Sequence, residues 1–343
     1  MPSLSRRRKN TFLKMAAILG GVLFVLLVVF TTRPASPTNP TNLTNSTSLA
    51  SPTSDPSQVP ATASPTAEAT RVEPKIIASP SPNPSPTPTP TALPPDFWKK
   101  LPVIPTQISA RAREIYRVGL SMGNQAHIFS RIGDCASAAP DFLVGFDQDY
   151  NLGEYTSLQP AIDYFKGSFG RPSLAAKAGL NSSGLLTTLW TDKQCQANES
   201  LLDCQYRLDR PSFVFLSIGT NEAYYVTEDP GSFEKNMRII LDDTISKGIL
   251  PILSTKADNI EGDGSINATL ARLAMEYELP LWNFWLAVQP LPEHGMVSKD
   301  HLNSVSYRIF TDFTLPNSLE YGMQVRNLTA LQMLDFLRKE LGE

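Results

Sequence analysis

Reactive side chains are scarce in this chain: 343 residues hold three histidines and three cysteines. None of them falls at metal-ligand spacing, so the sequence offers no zinc or iron-sulfur motif and no metal or other cofactor is expected. Charge of one sign is also missing. The net charge is -3 at pH 7, and no basic patch with interleaved aromatics occurs, so nucleic acid is excluded as a partner. From Arg33 to Pro95 there is no aromatic residue at all, while more than half of the prolines fall there. Such a segment cannot bury enough apolar surface to offset the entropy of ordering its backbone. Its Ser-Pro and Thr-Pro alternation over 81–90 favours extended polyproline II, so residues 33–95 read as a disordered, semi-rigid stalk.

The stalk follows a basic tail, 1–11, and an apolar run, 12–32, interrupted only by Lys14. The run is close to the ~20 residues that span a bilayer. It reads as an uncleaved signal anchor, with the basic tail inside and all that follows extracytoplasmic. Secretion after signal-peptide cleavage is the alternative, but Thr31-Thr32-Arg33-Pro34 is a poor cleavage site. The remaining 96–343 suffices for one domain with a sizeable core.

Within that domain, helical and strand patterns alternate. Ile128–Ile132, Phe213–Ile218, Ile249–Ser254 and Pro280–Phe284 read as strands. Ile108–Tyr116, Phe233–Ile245, Leu270–Tyr277 and Leu328–Leu341 carry helical spacing. Strand-helix alternation demands crossover connections, hence an α/β domain with a mostly parallel sheet covered on both faces. Ligands bind such sheets beyond the carboxyl ends of the strands. Asp134-Cys135, Asn221-Glu222 and Lys256 all fall just past strand ends. Trp282 and Trp285 could stack on sugar, but core positions suit them better.

Acyl transfer needs a nucleophile, a base and donors for an oxyanion. Cys135, left over if Cys195 and Cys204 close a surface loop as a disulfide, can be the nucleophile. Buried filler is its bland alternative. His301, after Lys299-Asp300, can be the base; His127 belongs to a strand and His294 to a loop. The Asn221 amide is a candidate oxyanion donor, although Gly-Thr-Asn is also ordinary turn chemistry. Lys256 and Glu222 are candidate contacts for a polar substrate. Ser137 is a fallback nucleophile. Gly119-x-Ser121-x-Gly123 matches a nucleophile elbow, but a helical pattern precedes it and a strand follows, the reverse of the required context.

In their order, Gly133-Asp134-Cys135, Gly219-Thr220-Asn221-Glu222 and His301 resemble the motif blocks of the SGNH/GDSL hydrolase family over roughly residues 120–305. The first block is normally Gly-Asp-Ser; here Cys135 stands in the serine's place. The resemblance implies a glycine in the oxyanion hole, with Gly179 the first choice and Gly184 the second. The family's last block has an aspartate three residues before the histidine; here that position is Ser298, and Asp300 sits beside His301. The resemblance implies a three-layer, flavodoxin-like fold and cofactor-free hydrolysis of an ester or O-acyl bond, on carbohydrate or lipid. Cys135, His301, Asp134 and Asp300 would then form the catalytic set. A catalytically inactive module binding cell-surface glycan or lipid on the same fold is the other expectation.

Overall fold

The computed structural model describes residues 93–140, 142–224, 229–305 and 309–343. The basic tail, the apolar run and the stalk up to residue 92 lie outside the described residues. Among the described residues, no helix is long and apolar enough to cross a membrane.

Four strands form one parallel sheet in the order β1 (Gln125–Gly133), β2 (Pro211–Ser217), β3 (Leu250–Ser254) and β4 (Leu281–Trp282). Phe213 of β2 pairs with Leu250, and Leu253 of β3 pairs with Leu281. The free edge of β1 carries one further parallel bridge. Gly133 N–H donates to the Ala175 carbonyl, and Lys177 N–H donates to the Gly133 carbonyl. In β3 every residue is buried, and in β2 all but Ser217 are, so both side-chain rows are covered. That double burial is why these strands read as continuous apolar runs rather than alternating ones.

The main helices are α1 (Ala110–Ser121), α2 (Leu201–Asp209), α3 (Pro230–Ser246), α4 (Ser265–Glu276) and α5 (Gly322–Leu341). Ser109 caps α1 by accepting from Ala112 N–H, and Ala112, Ile115 and Tyr116 form its buried stripe. A side chain at Gly119 would collide with the Gly248 carbonyl, so glycine lets α1 lie against the turn that ends α3. Ser121 closes α1, donates to the Val118 carbonyl and is exposed, which removes the elbow reading. Phe233, Met237, Ile240, Leu241 and Thr244 are the buried face of α3. Gly248, at φ +67°, follows its end.

Two expected boundaries move. The strand expected over 280–284 is only Leu281–Trp282, because Asn283 caps a short helix, Phe284–Val288, by accepting from Leu286 N–H. The closing helix starts at Gly322, not Leu328. Its first turns bury Gln324, Arg326 and Asn327, polar residues that hide the helix from an apolar-pattern reading.

Phe129, Phe142, Phe213, Phe215 and Trp282 form the aromatic centre of the core, with Phe142 stacked on Trp282 at 6.2 Å. Trp282 is fully buried, its Nε1–H donating to Thr329 Oγ1, and Trp285 packs edge-on against Trp98 at 4.7 Å. Both are core, not an open sugar platform. Cys195 and Cys204 form the expected disulfide.

Candidate active site

A strand that ends in Gly133 delivers its next residues to the carboxyl edge of the sheet. Asp134 leaves β1 in extended backbone and accepts from Ala136 N–H at 3.2 Å. It thereby caps the helical turn Cys135–Ala138. Asp134 is buried, and burial raises its pKa against the opposing pull of the Arg326 charge and the capping N–H. Asp134 therefore acts as the cap beneath the turn, with its own carboxylate turned away from solvent.

Cys135 is the first residue of that turn and is half-buried. Among the described residues its backbone N–H donates to no carbonyl or side-chain oxygen. Burial pushes the thiol pKa up, and the Asp134 and Asp300 charges push the same way. The N–H groups of Cys135 and Ala136 pull it down but do not win. Ser137, two residues on, is buried and accepts from Arg326 Nη2 at 3.3 Å, so it is not placed as a nucleophile.

His301 sits on a hairpin-like loop closed by an antiparallel bridge between Met296 and Leu302. Its Nδ1 meets Asp300 Oδ1 at 2.7 Å. The same carboxylate accepts from Ser298 Oγ at 2.8 Å and from Tyr224 OH at 2.7 Å. Those three partners, Tyr224 first, hold Asp300 well below the usual carboxylate range. Ser298 Oγ also meets Nδ1 at 3.3 Å, the imidazole is exposed, and among the described residues no hydrogen bond reaches Nε2. His127 lies exposed on β1, and His294 is exposed on its turn with Nδ1 against the Gln289 carbonyl.

Neither Cys135 nor His301 lines the main cleft at the carboxyl edge of the sheet, but the residues on either side of Cys135 and residues of the His301 loop do. Asp134 and Ala136, which flank Cys135, line it together with Asp300 and Leu302 from the His301 loop. The cleft is narrow, with a volume of about 30 Å³, and opens to solvent. Ser217, Thr220, Ser254, Thr255, Lys256 and Asp258 supply the polar walls past the ends of β2 and β3. Among the described residues no hydrogen bond joins Cys135 Sγ to His301.

The other expected contacts differ in placement. Asn221 spends one amide N–H on the Leu180 carbonyl at 2.8 Å, tying down the turn that carries Gly179 at φ +78°. Gly184 N–H is taken by Asn181 Oδ1. Glu222 is buried away from the cleft: one oxygen accepts from Ser182 N–H, the other has no partner, and burial raises its pKa. Expected as a substrate contact, it instead packs inward, because the short helix Glu222–Tyr224 turns its side chain under the Asn181–Ser182 segment. Lys256 does line the cleft, but its three donors go to Asp258 Oδ1 at 2.6 Å, Glu261 Oε2 at 2.6 Å and the Asp258 carbonyl at 3.0 Å. An ammonium has three N–H bonds, so none is left for a substrate.

Two site residues carried no sequence signal. Arg326, 3% exposed, packs its guanidinium over Phe142, Trp282 and Phe284 at 4.4–5.0 Å. Burial pushes its pKa down to about 10, and Nε has no hydrogen-bond partner. Tyr224 lies two residues past the Asn221-Glu222 pair and reaches the His301 loop. Among the described residues, the ligand atoms of Cys195, Glu199 and Cys204 cluster, but both sulfurs are committed to the disulfide.

No family model and no curated protein matches the chain. Among solved structures, it is similar to an acetyl xylan esterase, with a TM-score of 0.37 and 15% identity. That similarity covers 60% of this chain and 96% of the other.

Proposed function

We propose that this protein is a membrane-anchored, extracytoplasmic hydrolase of the SGNH type that cleaves an ester, O-acyl or thioester bond through Cys135 and His301. The observation that carries the reading is the shared cleft: the neighbours of Cys135 and the neighbours of His301 line it together at the carboxyl ends of β1–β3. The four strands form one parallel sheet, and taking the isolated Gly133–Ala176 bridge as a further strand position would give the order of a flavodoxin-like sheet, which supports the reading.

In the proposed reaction Cys135 Sγ attacks the carbonyl carbon as His301 Nε2 takes the thiol proton. Asp300 holds the opposite ring nitrogen, and the unspent Cys135 N–H faces the developing oxyanion, with Asn221 and Gly179 as further candidate donors. Collapse breaks the ester bond; the leaving alkoxide takes the proton from His301. Water, deprotonated by His301, then attacks the thioester carbonyl and releases the acid and the thiol. A polar cleft suits an ester-bearing carbohydrate, with lipid as the alternative. The basic tail ahead of the apolar run supports the anchor and its orientation.

A non-catalytic, glycan- or lipid-binding module is the second reading. It is favoured by the raised thiol pKa and by the missing thiol–imidazole hydrogen bond. The two readings separate on hydrolysis of p-nitrophenyl acetate by the full protein, Cys135→Ala and His301→Ala. The hydrolase reading expects each variant to lose about a hundredfold or more in kcat. Equal rates in all three would leave only the binding module.

A further inference from the structure

Adjacent residues in extended backbone point to opposite sides, so an aspartate beside a histidine does not ordinarily reach its ring. Here the Met296–Leu302 loop folds back on itself, with Val297 N–H donating to the His301 carbonyl, and Asp300 meets Nδ1 at 2.7 Å. Within the loop, Ser298 Oγ also meets Nδ1, at the longer distance of 3.3 Å, but the loop alone leaves one Asp300 carboxylate oxygen free, and His301 is 57% exposed. We infer that Tyr224, reaching across from the loop beyond β2, is the positioning residue that clamps Asp300 and so sets the orientation and tautomer of His301.

Three distances carry this. Tyr224 OH donates to Asp300 Oδ2 at 2.7 Å, while Ser298 Oγ and His301 Nδ1 share Oδ1 at 2.8 and 2.7 Å. Both oxygens are thereby committed, and the carboxylate cannot rotate without breaking a charge-assisted bond. Tyr224 belongs to the segment anchored by Asn221 and Glu222, so the clamp references a surface loop to the sheet edge. Lys299 Nζ lies 4.7 Å from the Tyr224 ring centroid, a contact to the ring that leaves the phenol–carboxylate bond to Tyr224 and Asp300 alone. The phenol is pushed up to about 12 by the carboxylate it donates to. With the carboxylate held at Nδ1, the proton stays there and Nε2 keeps its lone pair for a thiol proton.

The clamp itself does not require hydrolysis; only its catalytic meaning rests on the function proposed above. Its test is long-range ¹H–¹⁵N correlation of the imidazoles in the full chain, with His301 assigned by His301→Gln among the three histidines. The wild type is expected in the Nδ1–H form. Tyr224→Phe keeps the ring and is expected to move His301 toward Nε2–H, as Asp300→Asn does, while Lys299→Ala leaves it unchanged. In parallel, kcat for p-nitrophenyl acetate should fall about tenfold in Tyr224→Phe with KM held, the loss of one charge-assisted bond. A wild-type tautomer in Tyr224→Phe overturns the clamp, whether or not Asp300→Asn changes it. A protein inactive in every form, but with a tautomer that follows Tyr224, keeps the clamp and discards the hydrolase.

Discussion

Replacing Lys256 by methionine separates two roles that a cationic cleft residue can have. The side chains of Lys256, Asp258 and Glu261 are 6%, 3% and 0% exposed, so the cluster is dry. Methionine fills most of the space but donates nothing. Asp258 then keeps only Thr220 Oγ1, at 2.7 Å, as a side-chain donor, and Glu261, whose Oε1 already has no partner, loses its ion pair. Breaking a buried pair by removing one member costs about 3–5 kcal/mol, because the partner charge is stranded. For a domain of this size that is a fall of about 6–20 °C in Tm. Urea unfolding followed by tryptophan fluorescence reads the free energy directly. The triple variant Lys256→Met, Asp258→Asn, Glu261→Gln should recover part of the loss, since the penalty lies in the orphaned charges. A loss below about 1 kcal/mol, with a tenfold or greater rise in KM, would refute this reasoning and return Lys256 to substrate binding.

Two further outcomes follow from the same chemistry. A thiol with a raised pKa holds less thiolate near pH 7 than the few per cent of an ordinary cysteine. Iodoacetamide should therefore label Cys135 slowly near neutral pH and faster as pH rises beyond about 9, and fast, pH-independent labelling from about pH 6 to 8 would show a preformed thiolate instead. Changing Cys195 and Cys204 together to alanine removes a nine-residue cross-link and should cost about 2–3 kcal/mol, read as a lower urea midpoint. An unchanged midpoint, in the variant and in dithiothreitol-treated wild type alike, would mean the bond contributes nothing in solution.

The strands were legible because their physics is local. Phe213–Ile218 and Ile249–Ser254 are short apolar runs bounded by proline and glycine, and burial on both faces demands that composition. The Cys195–Cys204 pair was legible from its nine-residue spacing in a polar segment of a domain read as extracytoplasmic. The start of α5 was not, because three polar residues of its first turns are buried: Asn327 accepts from Leu143 N–H, Arg326 lies under Phe142, and the Gln324 amide has no hydrogen-bond partner among the described residues. Polar letters in a sequence do not say whether water or protein satisfies them. The same ambiguity misplaced Lys256 and Glu222, which look like solvent-facing charges at strand ends and are instead consumed by neighbours. Cys135 and Asn221 drew attention because they fall just past strand ends, and Asp300 because it sits beside the histidine of the resemblance. Tyr224 was missed because its meaning lies in one bond to a residue 76 positions away.

The charges around the cleft bear on how a cysteine would work on the proposed reading. Asp134, Asp258 and Asp300 face Lys256 and Arg326 across it, and Lys256 is already neutralised by Asp258 and Glu261. The balance near the thiol is negative, which opposes a standing thiolate–imidazolium pair. A negative surround does not oppose a base that takes the proton during attack, because the imidazolium so formed is stabilised by Asp300 at 2.7 Å. On the proposed reading, then, the site is electrostatically built for general-base removal of a proton from a neutral nucleophile. The sulfur occupies a machine arranged for that step, and its reactivity depends on His301 being aimed rather than on the thiol being acidic.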